Sequence, residues 1–118
     1  MADYLTEPVF AAASPELGDR LLMQCAACHR FAKEEGQLLG PNLHGVFGRK
    51  AGSLSNFAYT RSFSDVDFVW TPRALDAWLT DPSRFLPGNA MAFAGIPDPD
   101  DRAALIAALL RRSGEGPE

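Results

Sequence analysis

Residues 25–29 of this chain are CAACH, two cysteines three positions apart followed at once by a histidine. The segment before them has helix character, because apolar residues repeat at a spacing of four from Leu17 to Cys25. Residues three and four apart lie on the same face of a helix. The thiols of Cys25 and Cys28 and the imidazole of His29 are therefore expected on one side of a helix end.

The composition around this motif is that of an ordinary globular protein, with 118 residues, 47% hydrophobic and 22% charged. This length suits one domain. Eleven Lys and Arg against fifteen Asp and Glu give a formal charge of -4, and no block of basic residues offers a footprint for nucleic acid. The longest apolar runs, such as residues 103–110, fall far short of the ~20 residues that span a bilayer. Two cysteines so close together cannot form a disulfide framework.

Three segments carry the start signals of helices, at residues 14–15, 71–72 and 98–101, where Ser, Thr or Asp precedes or accompanies proline. The second helix is expected to stop at residues 81–82, and a short helical turn is possible at residues 61–65. No segment shows the alternation of apolar and polar residues that is typical of strands. The sequence therefore predicts an all-α fold.

We divide the chain into an N-terminal extension at residues 1–13, one domain at residues 14–113 and a polar tail at residues 114–118. Within the domain, residues 34–59 and 82–99 are rich in glycine and proline and show no sustained periodicity. Loops of this length are unusual in so small a domain. A large apolar cofactor at the centre would explain them, since the loops could then pack on the cofactor.

Four interpretations of the CAACH motif are open at this point. The CxxCH pattern is a signature for covalent attachment of haem c, in which the two thiols add to the vinyl groups along one edge of the haem. A thiol redox pair of the CxxC type normally lies between a strand and a helix, a context that the sequence lacks. A zinc site could use Cys25, Cys28, His29 and His44, although the second half lacks a paired spacing. Finally, the cysteines could simply be buried structural residues.

Two further stretches of the sequence decide among these four interpretations of the CAACH motif. Residues 40–49 are GPNLHGVFGR, and residues 81–96 are DPSRFLPGNAMAFAGI. Together with CAACH, they resemble the class I cytochromes c of mitochondria and the bacterial periplasm, in register from residue 14 to residue 112. The resemblance implies a cytochrome c fold of three to five helices wrapped around one covalently bound haem c. It also implies a one-electron carrier, not an enzyme, in a respiratory or photosynthetic-type electron transport chain.

The same resemblance assigns the residues around the iron. Cys25 and Cys28 would carry the haem, and His29 and Met91 would be the two metal ligands. The carbonyl of Pro41 would accept a hydrogen bond from the second ring nitrogen of His29 and so fix its tautomer. A His and Met pair raises the reduction potential and leaves no vacant iron position for a substrate.

The other expected cofactor contacts are polar or aromatic side chains at positions where the family contacts its haem. Four of them align with residues that bind or screen the haem propionates: Arg49, Tyr59, Thr60 and Trp70. Asn89 replaces a threonine of the family, and Trp78 stands where the family has a tyrosine near the methionine sulfur. Phe93 would pack over the exposed haem edge. His44 is expected to act as a loop clamp.

The sequence departs from the family at several positions. Ala108 replaces an aromatic residue that commonly packs between the terminal helices, which makes the packing of the first helix on the last hard to predict. Phe63 replaces an asparagine of an internal polar network. Gln24 and Ala90 stand where mitochondrial members have lysines at the haem edge, so we expect redox protein partners that bind with little sensitivity to salt.

Other assignments remain expectations. An alternative function is a haem c domain or subunit of a larger periplasmic oxidoreductase, and peroxidase-like activity would require Met91 to leave the iron. Haem c is attached outside the cytoplasm, and the acidic, lysine-poor composition favours the periplasm, with the mitochondrial intermembrane space as the alternative. We expect a monomer that binds no nucleic acid and has no membrane span.

Overall fold

The computed structural model describes residues 4–54 and 57–113, and in that part of the chain all regular structure is helical apart from one isolated bridge between Lys50 and Val69. The predicted all-α class is confirmed. Two 3-10 turns cover Tyr4–Thr6 and Arg61–Phe63, the second where a short turn was predicted. The helices are α1 (Pro8–Ala11), α2 (Pro15–Ala26), α3 (Pro72–Thr80), α4 (Pro82–Phe85) and α5 (Pro99–Arg112).

The three long helices begin where the sequence predicted. The side chains of Ser14, Thr71 and Asp98 each accept a hydrogen bond from a backbone N–H in the first turn of α2, α3 and α5 respectively. Proline occupies the first position of each helix, where its missing N–H costs nothing. These caps fix the start of α2 and therefore place its other end at the CAACH motif.

The expectation of an unbroken loop over residues 82–99 is wrong at its start. Asp81 ends α3 and at the same time caps α4, since its Oδ1 accepts a hydrogen bond from the backbone N–H of Arg84. Pro82 stands at the first position of this one-turn helix. A residue that stops one helix can thus start the next, with a change of direction between them.

Helix α2 packs on α5 in the most extensive helix contact of the described residues. A Cβ atom on Gly18 would lie 2.2 Å from the carbonyl oxygen of Ala104 and 3.1 Å from the Cβ of Ala108. An ion pair between Arg111 and Asp19, at 3.5 Å, lies along the same contact. Small residues therefore hold the helices together here, where the family more often uses an aromatic side chain.

The middle of α5 is buried on all sides, because every residue from 103 to 110 is buried. Part of that cover comes from the N-terminal extension, in which α1 packs against α5 and the Tyr4 ring lies 6.4 Å from the Phe47 ring. Residues 4–13 are thus part of the packed structure. The predicted polar tail lies outside the described residues.

Across residues 4–54 and 57–113, no helix is both long enough and apolar enough to cross a membrane.

Candidate functional site

The CAACH motif forms a tight turn at the end of α2. The carbonyl oxygen of Cys25 accepts hydrogen bonds from the backbone N–H of Cys28, at 3.0 Å, and of His29, at 2.8 Å. Both cysteines are partly buried and neither forms a disulfide. The turn therefore holds two free thiols and an imidazole close together, as the spacing predicted.

The thiols do not have the properties of a redox pair or of a zinc site. Burial, and to a smaller extent the neighbouring Cys28, raises the pKa of Cys25 to about 11, whereas reactive CxxC cysteines have lowered values. Among the residues described, no three His, Cys, Asp or Glu side chains are grouped to hold a metal ion, so the zinc interpretation is wrong. What remains is a pair of partly buried thiols, of which Cys25 is protonated.

His29 is held by one ring nitrogen and is neutral. Its Nδ1 lies 2.7 Å from the carbonyl oxygen of Pro41, and since a carbonyl can only accept, Nδ1 carries the proton. Burial is the main cause that lowers the pKa of His29; the charge of Arg49 lowers it further, while the Pro41 hydrogen bond acts in the opposite direction. Nε2 is therefore left with a lone pair that can bind a metal.

Gly40, which the sequence analysis did not single out, lets the loop approach the His29 ring. Its backbone N–H donates to the carbonyl oxygen of Cys28 at 2.7 Å. A Cβ on Gly40 would lie 2.4–2.8 Å from Cε1, Nδ1 and Nε2 of the imidazole. The signal was present in the sequence, because a glycine directly before proline marks a place where the backbone needs room.

Asn42 is the second residue that the sequence analysis missed. It is buried, and its Nδ2 donates to the carbonyl oxygens of Ala32 and Gly36, both at 2.9 Å. Its Oδ1 accepts from the backbone N–H of His44 at 2.7 Å. Asn42 is thus the clamp of this loop, and His44, which was expected to be the clamp, takes part through its backbone.

Arg49 brings a half-buried positive charge to the same loop. Its guanidinium donates to the carbonyl oxygens of Asn42, at 2.9 Å, and of His44, at 3.4 Å. Burial lowers its pKa, and the nearby Tyr59 acts in the opposite direction. Within the described residues its hydrogen-bond partners are neutral carbonyls, and no carboxylate lies in ion-pair distance. Such a cation favours an anionic group beside it.

The loop that carries Met91 is anchored by Asn89. Asn89 Nδ2 donates to the carbonyl oxygens of Pro82 and Leu86, at 3.0 and 2.9 Å, and its Oδ1 accepts from the backbone N–H of Met91 at 2.9 Å. The hydrogen-bonding groups of Asn89 are therefore used within the loop. Met91 itself is half-buried against the apolar core, as is Phe93, whose N–H donates to the Met91 carbonyl.

The remaining predicted residues lie in or beside one aromatic cluster. The Trp78 ring, which is only 6% exposed, lies 5.7 Å from the Trp70 ring and 6.2 Å from the Phe63 ring. Phe63 in turn lies 5.1 Å from the Tyr59 ring. Thr60 is hydrogen-bonded to Ser62 at 2.6 Å. Phe63 thus links apolar neighbours at the position where the family has a polar asparagine.

Taken together, the side chains fit a covalently bound haem with an axial imidazole. Two free thiols stand in one turn with a neutral histidine whose Nε2 is free of the Pro41 bond, and the adjoining loop carries a half-buried cation that has no carboxylate partner among the described residues. A thioether stands on a separate, anchored loop.

Comparison with known proteins agrees with this chemistry, although no family model matches the chain. Over 86 residues the chain is 42% identical to a cytochrome c of Chlamydomonas reinhardtii, a match that covers 73% of this chain and 77% of that protein. It is 41% identical over 86 residues to a cytochrome c of Arabidopsis thaliana, with the same coverage of 73% and 77%. It is 46% identical over 71 residues to a cytochrome c of Trypanosoma brucei brucei, covering 60% of this chain and 76% of that one.

Proposed function

Because this chain belongs to the cytochrome c family, we propose that Nε2 of His29 and the sulfur of Met91 are the axial ligands of its iron. The chain is an electron carrier and not an enzyme, and it holds one covalently bound haem c. It exchanges electrons with redox partners. The haem supplies a single iron that alternates between Fe(III) and Fe(II), and the protein supplies its attachment, potential and docking surface.

Attachment is the role of Cys25 and Cys28. In the turn that follows α2, the Cys25 carbonyl fixes the backbone of both Cys28 and His29. The backbone of this turn thus brings the two sulfurs and the imidazole together before a haem is bound. Thioether bonds at these two positions would hold the haem edge beside His29.

The axial pair explains why the site carries electrons and performs no chemistry on a substrate. His29 is neutral and aimed by the Pro41 carbonyl, so it can bind the metal without losing a proton. Met91 offers a soft thioether that favours Fe(II) and is presented by the loop that Asn89 anchors. With both axial positions occupied, no coordination site remains for a substrate.

We assign the haem propionates to Arg49, Tyr59, Thr60 and Trp70, each of which has an N–H or O–H to donate. The support is strongest for Arg49, whose half-buried charge is matched only by carbonyl oxygens among the residues that the structure describes. Trp78 and Phe93 would line the apolar faces, and electrons would cross at the edge near Cys28 and the Met91 loop.

The observation that carries the ligand assignment is the 2.7 Å hydrogen bond from His29 Nδ1 to Pro41. Met91→Ala should abolish the long-wavelength ferric band of sulfur-to-iron ligation, while Met23→Ala, at a side chain 71% exposed, should leave it intact. His29→Ala should lose low-spin ligation and His44→Ala should keep it. Persistence of the sulfur band in Met91→Ala would overturn the assignment.

The location is also a proposal. The relatives named above come from an alga, a plant and a trypanosome, and they support the mitochondrial intermembrane space, which was the alternative. The periplasm, favoured by the composition, gains no support from them. In either compartment we place a monomer in a respiratory or photosynthetic-type chain.

A further inference from the structure

The peptide group between Pro41 and Asn42 is hydrogen-bonded at both ends. Its carbonyl oxygen accepts from Nδ1 of His29 at 2.7 Å. Its N–H, which belongs to Asn42, donates to Oε1 of the Gln37 side chain. Three groups therefore stand in series: an amide oxygen, a peptide and an imidazole.

Hydrogen bonds in series strengthen one another, because each polarises the group that forms the next. When Gln37 accepts from the Asn42 N–H, the Pro41 carbonyl oxygen becomes more negative and a stronger acceptor. A stronger bond to Nδ1 gives the imidazole more anionic character and makes Nε2 a better donor to the metal. Greater donation stabilises Fe(III) relative to Fe(II), so the reduction potential falls.

We propose that Gln37 is a positioning residue that lowers the reduction potential of the iron by acting on His29 through the Pro41–Asn42 peptide. This proposal rests on the proposed function, in which His29 is an axial ligand. The contact of Gln37 on which this rests is the one with the Asn42 N–H. Its effect travels through one peptide group.

The surroundings of Gln37 are built to hold this geometry. The Asn42 side chain donates to the carbonyl oxygens of Ala32 and Gly36, which fixes the turn that leads into Gln37. Within that turn, Oε1 of Glu35 accepts from the backbone N–H of Ala32 at 3.0 Å. Because a glutamine amide does not titrate, Gln37 accepts from Asn42 in the same way at every physiological pH.

The experiment uses the haem-loaded protein and two opposite substitutions. Gln37→Leu removes the acceptor and should raise the midpoint potential, while Gln37→Glu offers a stronger, charged acceptor and should lower it. We expect each substitution to change the ferric-to-ferrous ratio, measured at a fixed potential, about threefold. A tenfold change in this ratio corresponds to a shift of about 59 mV in the midpoint potential of a one-electron couple. Lys33→Gln, an equal change of charge at an exposed residue of the same loop, controls for simple electrostatics and should have a smaller effect than Gln37→Glu.

A second readout separates this role from a merely structural one. In the ferrous protein, the NMR resonance of the His29 Nδ1 proton should move upfield in Gln37→Leu, where the bond weakens, and downfield in Gln37→Glu. Unchanged potential and unchanged proton resonance in both variants would overturn the proposal, even if stability falls. Failure of the proposed function would look different, since His29→Ala would then retain low-spin ligation.

Discussion

Gly40 lies against the imidazole of His29, so close that a Cβ atom on Gly40 would stand 2.4 Å from Cε1 and 2.7 Å from Nδ1 of the ring. Gly40 is not among the glycines with positive φ, so its requirement is for space and not for a special backbone conformation. The residue before Pro41 therefore sets how near the loop can come to the ring that the Pro41 carbonyl orients.

Gly40→Ala should displace either the ring or the loop and weaken the 2.7 Å hydrogen bond to Pro41. We expect a loss of about 1–3 kcal/mol in unfolding free energy, as for other overpacked sites, together with a shift in the absorption spectrum. Denaturant titration and the ferric spectrum measure both effects.

Gly36→Ala is the matched control for Gly40→Ala. A Cβ on Gly36 would meet nothing within 4 Å, but its φ of +72° is unfavourable for alanine. We expect this conformation to lower the unfolding free energy of Gly36→Ala by about 1–2 kcal/mol. The absorption spectrum should stay that of the parent protein. Equal spectral changes in the two variants would show that contact with His29 is not the cause.

Gly18→Ala should destabilise the contact between α2 and α5. Helix propensity alone favours alanine by about 1 kcal/mol, but the new Cβ would lie 2.2 Å from the backbone oxygen of Ala104, which cannot rotate away. We expect a net loss of about 2 kcal/mol. Gln24→Ala, on the exposed face of the same helix, should change stability little. A more stable Gly18→Ala protein would mean that the helices do not approach so closely.

The starts of the long helices could be predicted from the sequence because their signals are local. Ser14 and Thr71 each cap a helix within three residues of themselves. The CAACH turn was predictable for the same reason, since the Cys25 carbonyl binds the N–H groups three and four residues later.

The roles of Asn42 and Gln37 could not be predicted in this way, because they depend on how a loop folds back on itself. Asn42 binds Ala32, ten residues earlier, and Pro41 binds His29 across twelve. No periodicity or cap reports such contacts. Resemblance to a family pointed to Pro41 but gave no reason to look at its neighbours.

In the haem-free chain, where no metal competes for Nε2, acidification should lower the stability of the protein through His29. Burial, the main cause, lowers the pKa of the folded histidine below the ordinary value of 6.5, so between the lowered value and 6.5 the unfolded chain binds more protons. The contribution is complete above pH 6.5 and is lost as the pH falls toward and through the folded value. Unfolding free energies measured from pH 7.5 to 5 should decline by up to about 1.4 kcal/mol per pH unit.

His44→Gln serves as the control for this pH dependence, because it removes the other histidine of the chain. The decline below pH 6.5 should persist in this variant. If it disappears, the assignment to His29 is wrong.

Asn89→Ala should loosen the presentation of Met91. The substitution removes two hydrogen bonds to carbonyl oxygens and one from the Met91 N–H. We expect a loss of about 1–3 kcal/mol in stability and a weaker ferric sulfur band. Ser83→Ala, at an exposed neighbouring position, should alter neither. A full-strength band in Asn89→Ala would indicate that Met91 is held by packing alone.

The docking surface should acquire sensitivity to salt when lysines are introduced at the haem edge. Gln24 and Ala90 are both exposed and stand where mitochondrial members have lysines. Because charges at the rim of an interface act mainly on the rate of encounter, the parent should react with an acidic partner at a rate that changes little with ionic strength. Gln24→Lys combined with Ala90→Lys should react faster at low salt and slow steeply as salt is added.

Glu16→Lys is the control, because it changes the net charge by the same two units at the opposite end of α2. It should produce a much weaker salt dependence. A steep dependence already present in the parent protein would show that its docking surface is basic after all.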